Sequence, residues 1–278
     1  MEKIKQNPFV KKVGFNRIVL CCVLLLMYGL FCALTGGSFA GMNRIMSALN
    51  YAYFLGFLSL GVTFVIATGQ IDFSIGPVMF CCALISGYTL TTHGISMPVA
   101  ILISILVGFA FGLFNGYLVA YWSVPSFITS MASMNIAKGL ASVYTKTQSV
   151  SWPQAADPDN GWFRNLVRYN GVPVGLVILL VVAVVCAIIL NKTRIGRYIL
   201  CLGSNKEAVR LSGVDVKKWE MLAFIICGVL VGMGVFIIAL LQEGILALGF
   251  TKDYQLIITG VIVIVAVFSD VLARRRKN

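Results

Sequence analysis

Charge is what this 278-residue chain has least of: 12% of its residues are Asp, Glu, Lys or Arg, against 59% hydrophobic. Soluble domains carry roughly 25% charged residues, so composition excludes an ordinary water-facing surface and assigns the chain to a membrane. Histidine is nearly absent, with His93 alone. There is no CxxC, no GxxxxGK[ST], no HExxH and no GxSxG, and no metal site or catalytic constellation can be assembled. The chain is therefore expected to be neither an ATPase nor a hydrolase by itself, and to bind no metal or cofactor of its own. Acidic residues are also few, 10 against 22 basic ones, a formal net charge of +12. In a soluble protein that balance would suggest nucleic acid; here it needs a different explanation.

Eight apolar stretches supply it: 18–37, 51–68, 73–92, 98–121, 127–145, 172–190, 221–241 and 255–272. Of the 32 charged residues only Lys138 and Asp270 lie inside them. Crossing the hydrocarbon takes about 20 apolar residues, and backbone groups in lipid must pair within their own segment, so the stretches are expected to be helices. Unbroken apolar runs exclude a transmembrane barrel. The first run, Ile18 to Gly37, is longer than a signal peptide's apolar region and reads as a retained helix. Basic residues gather before it, between the sixth and seventh runs (Lys192, Arg194, Arg197, Lys206, Arg210, Lys217, Lys218) and at the end (Arg274, Arg275, Arg276, Lys277). Positive charge near span ends marks the cytoplasmic side. The expected fold is all-α, one polytopic bundle over 1–278 with about eight spans and both termini cytoplasmic. Residues 1–17 form its basic cytoplasmic head, 146–171 an external loop rich in Trp and Pro, whose Trp152 and Trp162 read as interface anchors or as a docking surface for an external partner, and 191–220 a cytoplasmic loop. The net charge then reflects topology and lipid, not nucleic acid. Seven of the eight cysteines lie in the runs and Cys201 lies beside one, as small packing residues do.

Three segments depart from a plain bundle. Only Gly69, Gln70, Ile71 and Asp72 separate the second and third runs, followed at once by Ser74, Gly76 and Pro77. Asp72 there is either a carboxylate at membrane depth, a functional-site signal, or a solvated turn residue. Gly112, Asn115 and Gly116 have small-residue helix spacing, and after Pro125 the fifth run carries Ser126, Thr129, Ser130, Ser133, Asn135 and Lys138. It faces either an aqueous path or polar glue between helices. In the third segment Asn205 suits an N-cap and Gly213 a stop, giving a short surface helix over 206–211.

At these residues the sequence resembles a known family. GQIDFSIG (69–76), FGLFNGYLVAYWSVPSFITSMASMNIAKGLA (111–141), GRYILCLGSNKEAVRLSGVDVKKWEMLAF (196–224) and the tail 247–276 resemble, in order, the membrane permeases of bacterial ribose-type ABC sugar importers. Glu207, Ala208, Val209 and Gly213 resemble the EAA-x3-G element by which such permeases engage their ATPase. The resemblance implies a monosaccharide as cargo, and the candidate path residues in the polar and irregular segments are Asp72, Ser74, Asn115, Phe127, Thr129, Ser133 and Lys138. It implies ATPase coupling through Gly203, Asn205, Glu207, Ala208, Arg210 and Gly213, with ATP used by the partner. The implied partners are a second permease copy or paralogue, a cytoplasmic ABC ATPase and an external sugar-binding protein, at the bacterial inner membrane. Two departures stand out: Gln70 replaces a second glycine, and a segment of about two helices is missing before the C-terminal span. Two other readings stay open: a stand-alone secondary transporter with Asp72 and Lys138 as its ion-coupling pair, and a non-transporting membrane subunit.

Overall fold

The computed structural model describes residues 40–148 and 172–246 continuously, with isolated positions among 25–37 and 150–169. The head 1–17 and the expected last span at 255–272 lie outside the described residues, as do the C-terminal tail and most of 18–37 and of the external loop. The chain divides into two units, Met1–Leu49 and Asn50–Asn278. In the first, Gly36 and Gly37 take positive φ in a turn where the Gly37 N–H donates to the Cys32 carbonyl at 2.8 Å. Helix α1 spans Met42–Ala67. Then follow α2 (Ile75–His93), α3 (Met97–Trp122), α4 (Ser126–Tyr144), the strands β1 (Arg168–Tyr169) and β2 (Val172–Pro173), α5 (Val174–Lys192), α6 (Arg194–Leu211) and α7 (Val216–Leu246).

Among the described residues four helical segments are long and apolar enough to cross a membrane: Ile75–His93, Met97–Trp122, Val174–Lys192 and Val216–Val235. Helix α1 adds a shorter apolar run, Leu55–Ala67. Helix α4 falls short because Ser126, Thr129, Ser130, Ser133 and Asn135 dilute its 19 residues. Helix ends follow local chemistry. Gly94, at φ 61°, closes α2 by donating to the Leu90 carbonyl, the left-handed turn that a glycine makes without a Cβ penalty. Pro98 occupies the first turn of α3, where its missing N–H costs nothing.

The packing centre is an antiparallel pair, α3 against α7. Gly108, Gly112 and Gly116 on α3 lie directly on the backbone of Gly228, Phe224 and Met221, and Gly232 lies on Ser104 and Ile105. The Ser104 hydroxyl donates to the Gly232 carbonyl at 2.6 Å. Lipid tails are as apolar as leucine, so close backbone approach through small residues, not hydrophobic expulsion, holds such pairs together. Around them Val65, Met79, Cys82, Met97, Ala137 and Phe224 form a buried core. Cys81, Cys82, Cys186 and Cys227 are buried and unbridged, and Cys201 is exposed.

The expectations need three corrections. The 191–220 segment is helical over most of its length, not a loop: α6 starts at Arg194, two residues after α5 ends. Ile195, Ile199 and Leu202 form an apolar stripe at helical spacing that α6 buries or half-buries against its neighbours. Residues 172–173 are not helix, because Arg168 pairs with Pro173 and Tyr169 with Val172 in a small antiparallel ladder. The Asn170-Gly171 dipeptide between them is a strong hairpin signal that the apolar run concealed. Trp152 is not an interface anchor either; it is buried over Gly87 of α2, whereas Trp162 is exposed.

Candidate functional site

The segment between α1 and α2 is neither helix nor strand, and its side chains alternate between exposed and buried. Ile71 and Phe73 are more than half exposed, while Asp72 and Ser74 point inward and are buried. The Asp72 carboxylate accepts from the Ser74 N–H at 2.8 Å and from the Ser74 hydroxyl at 2.6 Å. Asn115 of α3 donates its amide N–H to Ser74 Oγ at 3.0 Å, and Ser133 of α4 donates its hydroxyl to Asn115 Oδ1. Three helices are thus joined by one buried chain of hydrogen bonds, each group both oriented and satisfied by the next. A second bond, from the Ile71 N–H to Ser126 Oγ at 3.2 Å, pins the segment to the start of α4. Beside it lies a small cavity lined by Asp72, Ser74, Phe111, Asn115, Phe224 and Cys227. In this conformation it has room for about one water, far less than a sugar needs.

Of the path residues expected from sequence, Asp72, Ser74, Asn115 and Ser133 come together in this chain of bonds. Thr129 is buried on the same side of α4, its hydroxyl donating to the Pro125 carbonyl. Phe127 and Lys138 are exposed, away from the network. Among the described residues Asp72 makes no ion pair with Lys138; its neighbours are the N–H and O–H of Ser74. An ion-coupling pair of Asp72 and Lys138 therefore has no geometric support.

The second cluster lies where α1 ends, α2 begins, α3 ends and α7 begins. Helix α6 breaks at Asn205, whose backbone sits at φ −155° and ψ 95°. The Asn205 side chain accepts from the Ala208 N–H at 2.9 Å, capping the short helix that follows. Gly213 ends it at φ 79°, with open space where a Cβ would stand, so its requirement is the backbone angle and not a clash. Val209 seats this helix on Leu202 and Val216. Glu207, Ala208, Arg210 and Leu211 are left exposed. Glu207 and Arg210 form an ion pair, and the guanidinium holds the Glu207 carboxyl below its ordinary range. Gly203 lies directly on the Ala67 carbonyl at the end of α1.

Sequence reasoning missed what lies beneath this helix. Glu220, almost fully buried, accepts from the Gln70 side-chain amide at 2.7 Å and from Lys206 at 2.9 and 2.8 Å. The readable signal was a lone acid at the head of an apolar run, directly after Lys217, Lys218 and Trp219. At the same end Lys217 lies 5.6 Å from the Tyr121 ring, and the Tyr198 and Trp219 rings meet at a tilt with centroids 4.8 Å apart. Basic and aromatic side chains gather so at a membrane–water boundary.

Residues 44–262 match the family described as branched-chain amino acid transport system / permease component. The chain belongs to that family. The permease is 27% identical to the ribose import permease protein RbsC of Escherichia coli (strain K12), over 84% of this chain and 87% of that protein. It is 30% identical to the fructose import permease protein FruF of Bifidobacterium longum (82% of this chain, 67% of that one). Against the xylose transport system permease protein XylH of Haemophilus influenzae it is 25% identical (91% and 83%). In the first of these, 84% of 278 residues is about 234, so about 49 of the 283 aligned positions are filled in the relative and empty in this permease. No solved structure matches it.

Proposed function

We propose that this permease is the membrane subunit of an ATP-driven importer for a monosaccharide, working with a second permease copy or paralogue, a cytoplasmic ATPase and an external sugar-binding protein. The observation that carries the reading is the similarity, over most of the chain, to permeases named for ribose, fructose and xylose. The short helix over 206–211 supports it, because its exposed Glu207, Ala208, Arg210 and Leu211 form a compact surface for a soluble partner. The buried Asp72, Ser74, Asn115 and Ser133 supply polar groups at helix contacts, where rearrangement can open a path. The test is uptake of labelled ribose, xylose and fructose into proteoliposomes holding the purified complex. ATP-dependent accumulation of at least one sugar is expected; none with any of the three, in a complex that hydrolyses ATP, would sink the assignment.

The reading carries a topology of about eight spans in a bacterial inner membrane. Lys192, Arg194, Arg197, Lys206, Arg210, Lys217 and Lys218 gather where α5 ends and α7 begins, and this end is taken as cytoplasmic. A phosphatase or fluorescent reporter fused after Lys218 or Asn278 should report the cytoplasm, and one inserted at Asp159 the exterior. A cytoplasmic signal at Asp159 overturns the orientation.

A further inference from the structure

The surface helix over 206–211 and the buried Asp72 network lie far apart in sequence, yet the structure holds a physical connection between them. Residues 206–211 hang from the rest of α6 by the non-helical backbone at Asn205. A break of this kind lets the short helix turn as a unit, since the hydrogen-bond ladder of α6 does not run through it unbroken. Past the break, Lys206 reaches Glu220 with both carboxylate oxygens in range, at 2.9 and 2.8 Å. Lys206 is half exposed but Glu220 is only 2% exposed. A buried carboxylate cannot readily give up its counter-charge, so displacement of Lys206 must either carry Glu220 along or leave a bare charge behind. Glu220 Oε1 also holds the Gln70 amide at 2.7 Å. Gln70 is two residues from Asp72, and the Ile71 N–H between them is fastened to Ser126 of α4. Movement of Gln70 therefore acts on the same connecting segment that carries Asp72 and Ser74 into the network with Asn115 and Ser133.

We infer that Glu220 is a joint, gripped by Lys206 on one side and Gln70 on the other, through which motion of the 206–211 helix is delivered to the Asp72 segment. Glu220 and Gln70 are positioning residues in this scheme; neither touches substrate. The inference deepens the importer reading and rests on it. Gln70 stands where the resemblance leads one to expect glycine, which has no side chain to reach Glu220, so this arm of the joint belongs to this chain.

The test measures sugar transported per ATP hydrolysed in proteoliposomes of the assembled complex, with ribose, xylose and fructose as probes. A merely structural role lowers the amount of intact complex, so uptake and hydrolysis fall together and their ratio stays fixed. A joint lowers the ratio. Glu220→Gln keeps the shape and the bond to Gln70 but removes the negative charge that grips Lys206, and should lower the ratio about tenfold, within the usual range for coupling between sites. Gln70→Leu, a milder change at a half-buried position, should lower it in the same direction. The exchanged pair Lys206→Glu with Glu220→Lys should restore it to within about twofold, because the Gln70 side-chain carbonyl can then accept from the lysine. A ratio unchanged in both Glu220→Gln and Gln70→Leu, with wild-type uptake normal, overturns the joint and leaves the importer reading standing. A wild-type complex that hydrolyses ATP yet accumulates none of the three sugars brings down the importer reading, and the joint with it.

Discussion

Gly228→Leu is expected to remove nearly all folded protein. A Cβ at 228 would fall on the Gly108 carbonyl and the Gly112 backbone across the α3–α7 contact. Both obstacles are main chain, so no rotamer change relieves them and the helices must separate. Overpacking a core costs about 1–3 kcal/mol when side chains can adjust; here the whole contact must open, and the loss extends to the bond from Ser104 to Gly232. Gly112→Leu should behave alike, because its Cβ would meet the Phe224 carbonyl. Gly139→Leu is the control: nothing lies within 4 Å of a Cβ there, and yield should match wild type. The measurement is the monodisperse fraction after detergent extraction, with a melting curve on what remains. Equal yield for Gly228→Leu and Gly139→Leu would mean that the two glycine faces are not in contact in the membrane.

The second large effect concerns Asp72. Asp72→Ala removes the acceptor of two buried donors, the N–H and the hydroxyl of Ser74. Each donor left unsatisfied costs about 1–3 kcal/mol, and the freed hydroxyl no longer orients Asn115 and Ser133. A clear fall in melting temperature and in uptake is expected. Asp72→Asn keeps an acceptor oxygen in the same place and should recover stability and most of the uptake, within about threefold, because no cation faces Asp72 among its described partners. If Asp72→Asn melts like wild type yet transports as poorly as Asp72→Ala, the negative charge itself acts in transport, and the positional role assigned here is wrong.

Much of this was legible along the chain. Apolar runs at 73–92, 98–121 and 127–145 became α2, α3 and α4 with ends moved by one or two residues, because helix is the form that satisfies the backbone in lipid and its length tracks the run. Asn205 and Gly213 could be read as cap and stop because capping is a local interaction over three or four residues. The inward turn of Asp72 and Ser74 was half legible: the short Gly69–Asp72 connection drew attention to the carboxylate, but sequence could not separate burial from a solvated turn. The helix in 194–204 was obscured because a basic, weakly apolar stretch at a membrane boundary reads as loop until its stripe of Ile195, Ile199 and Leu202 finds a partner face.

By itself, then, the sequence determined that the chain is a helical membrane protein, where its runs begin and end, which end carries the positive charge, and the family whose segments it repeats in order. Each of these depends on neighbours within a few residues or on transfer between water and lipid, which composition records directly. Tertiary structure alone decided that Ser74, Asn115 and Ser133 share one chain of bonds with Asp72, that Gly108 and Gly112 lie on the backbone around Gly228, and that Glu220 takes Gln70 across a separation of 150 residues. Helical periodicity says which residues share a face but not which face of another helix they meet, and hydrogen bonds and backbone contacts that close only across helices leave no periodic trace in the chain.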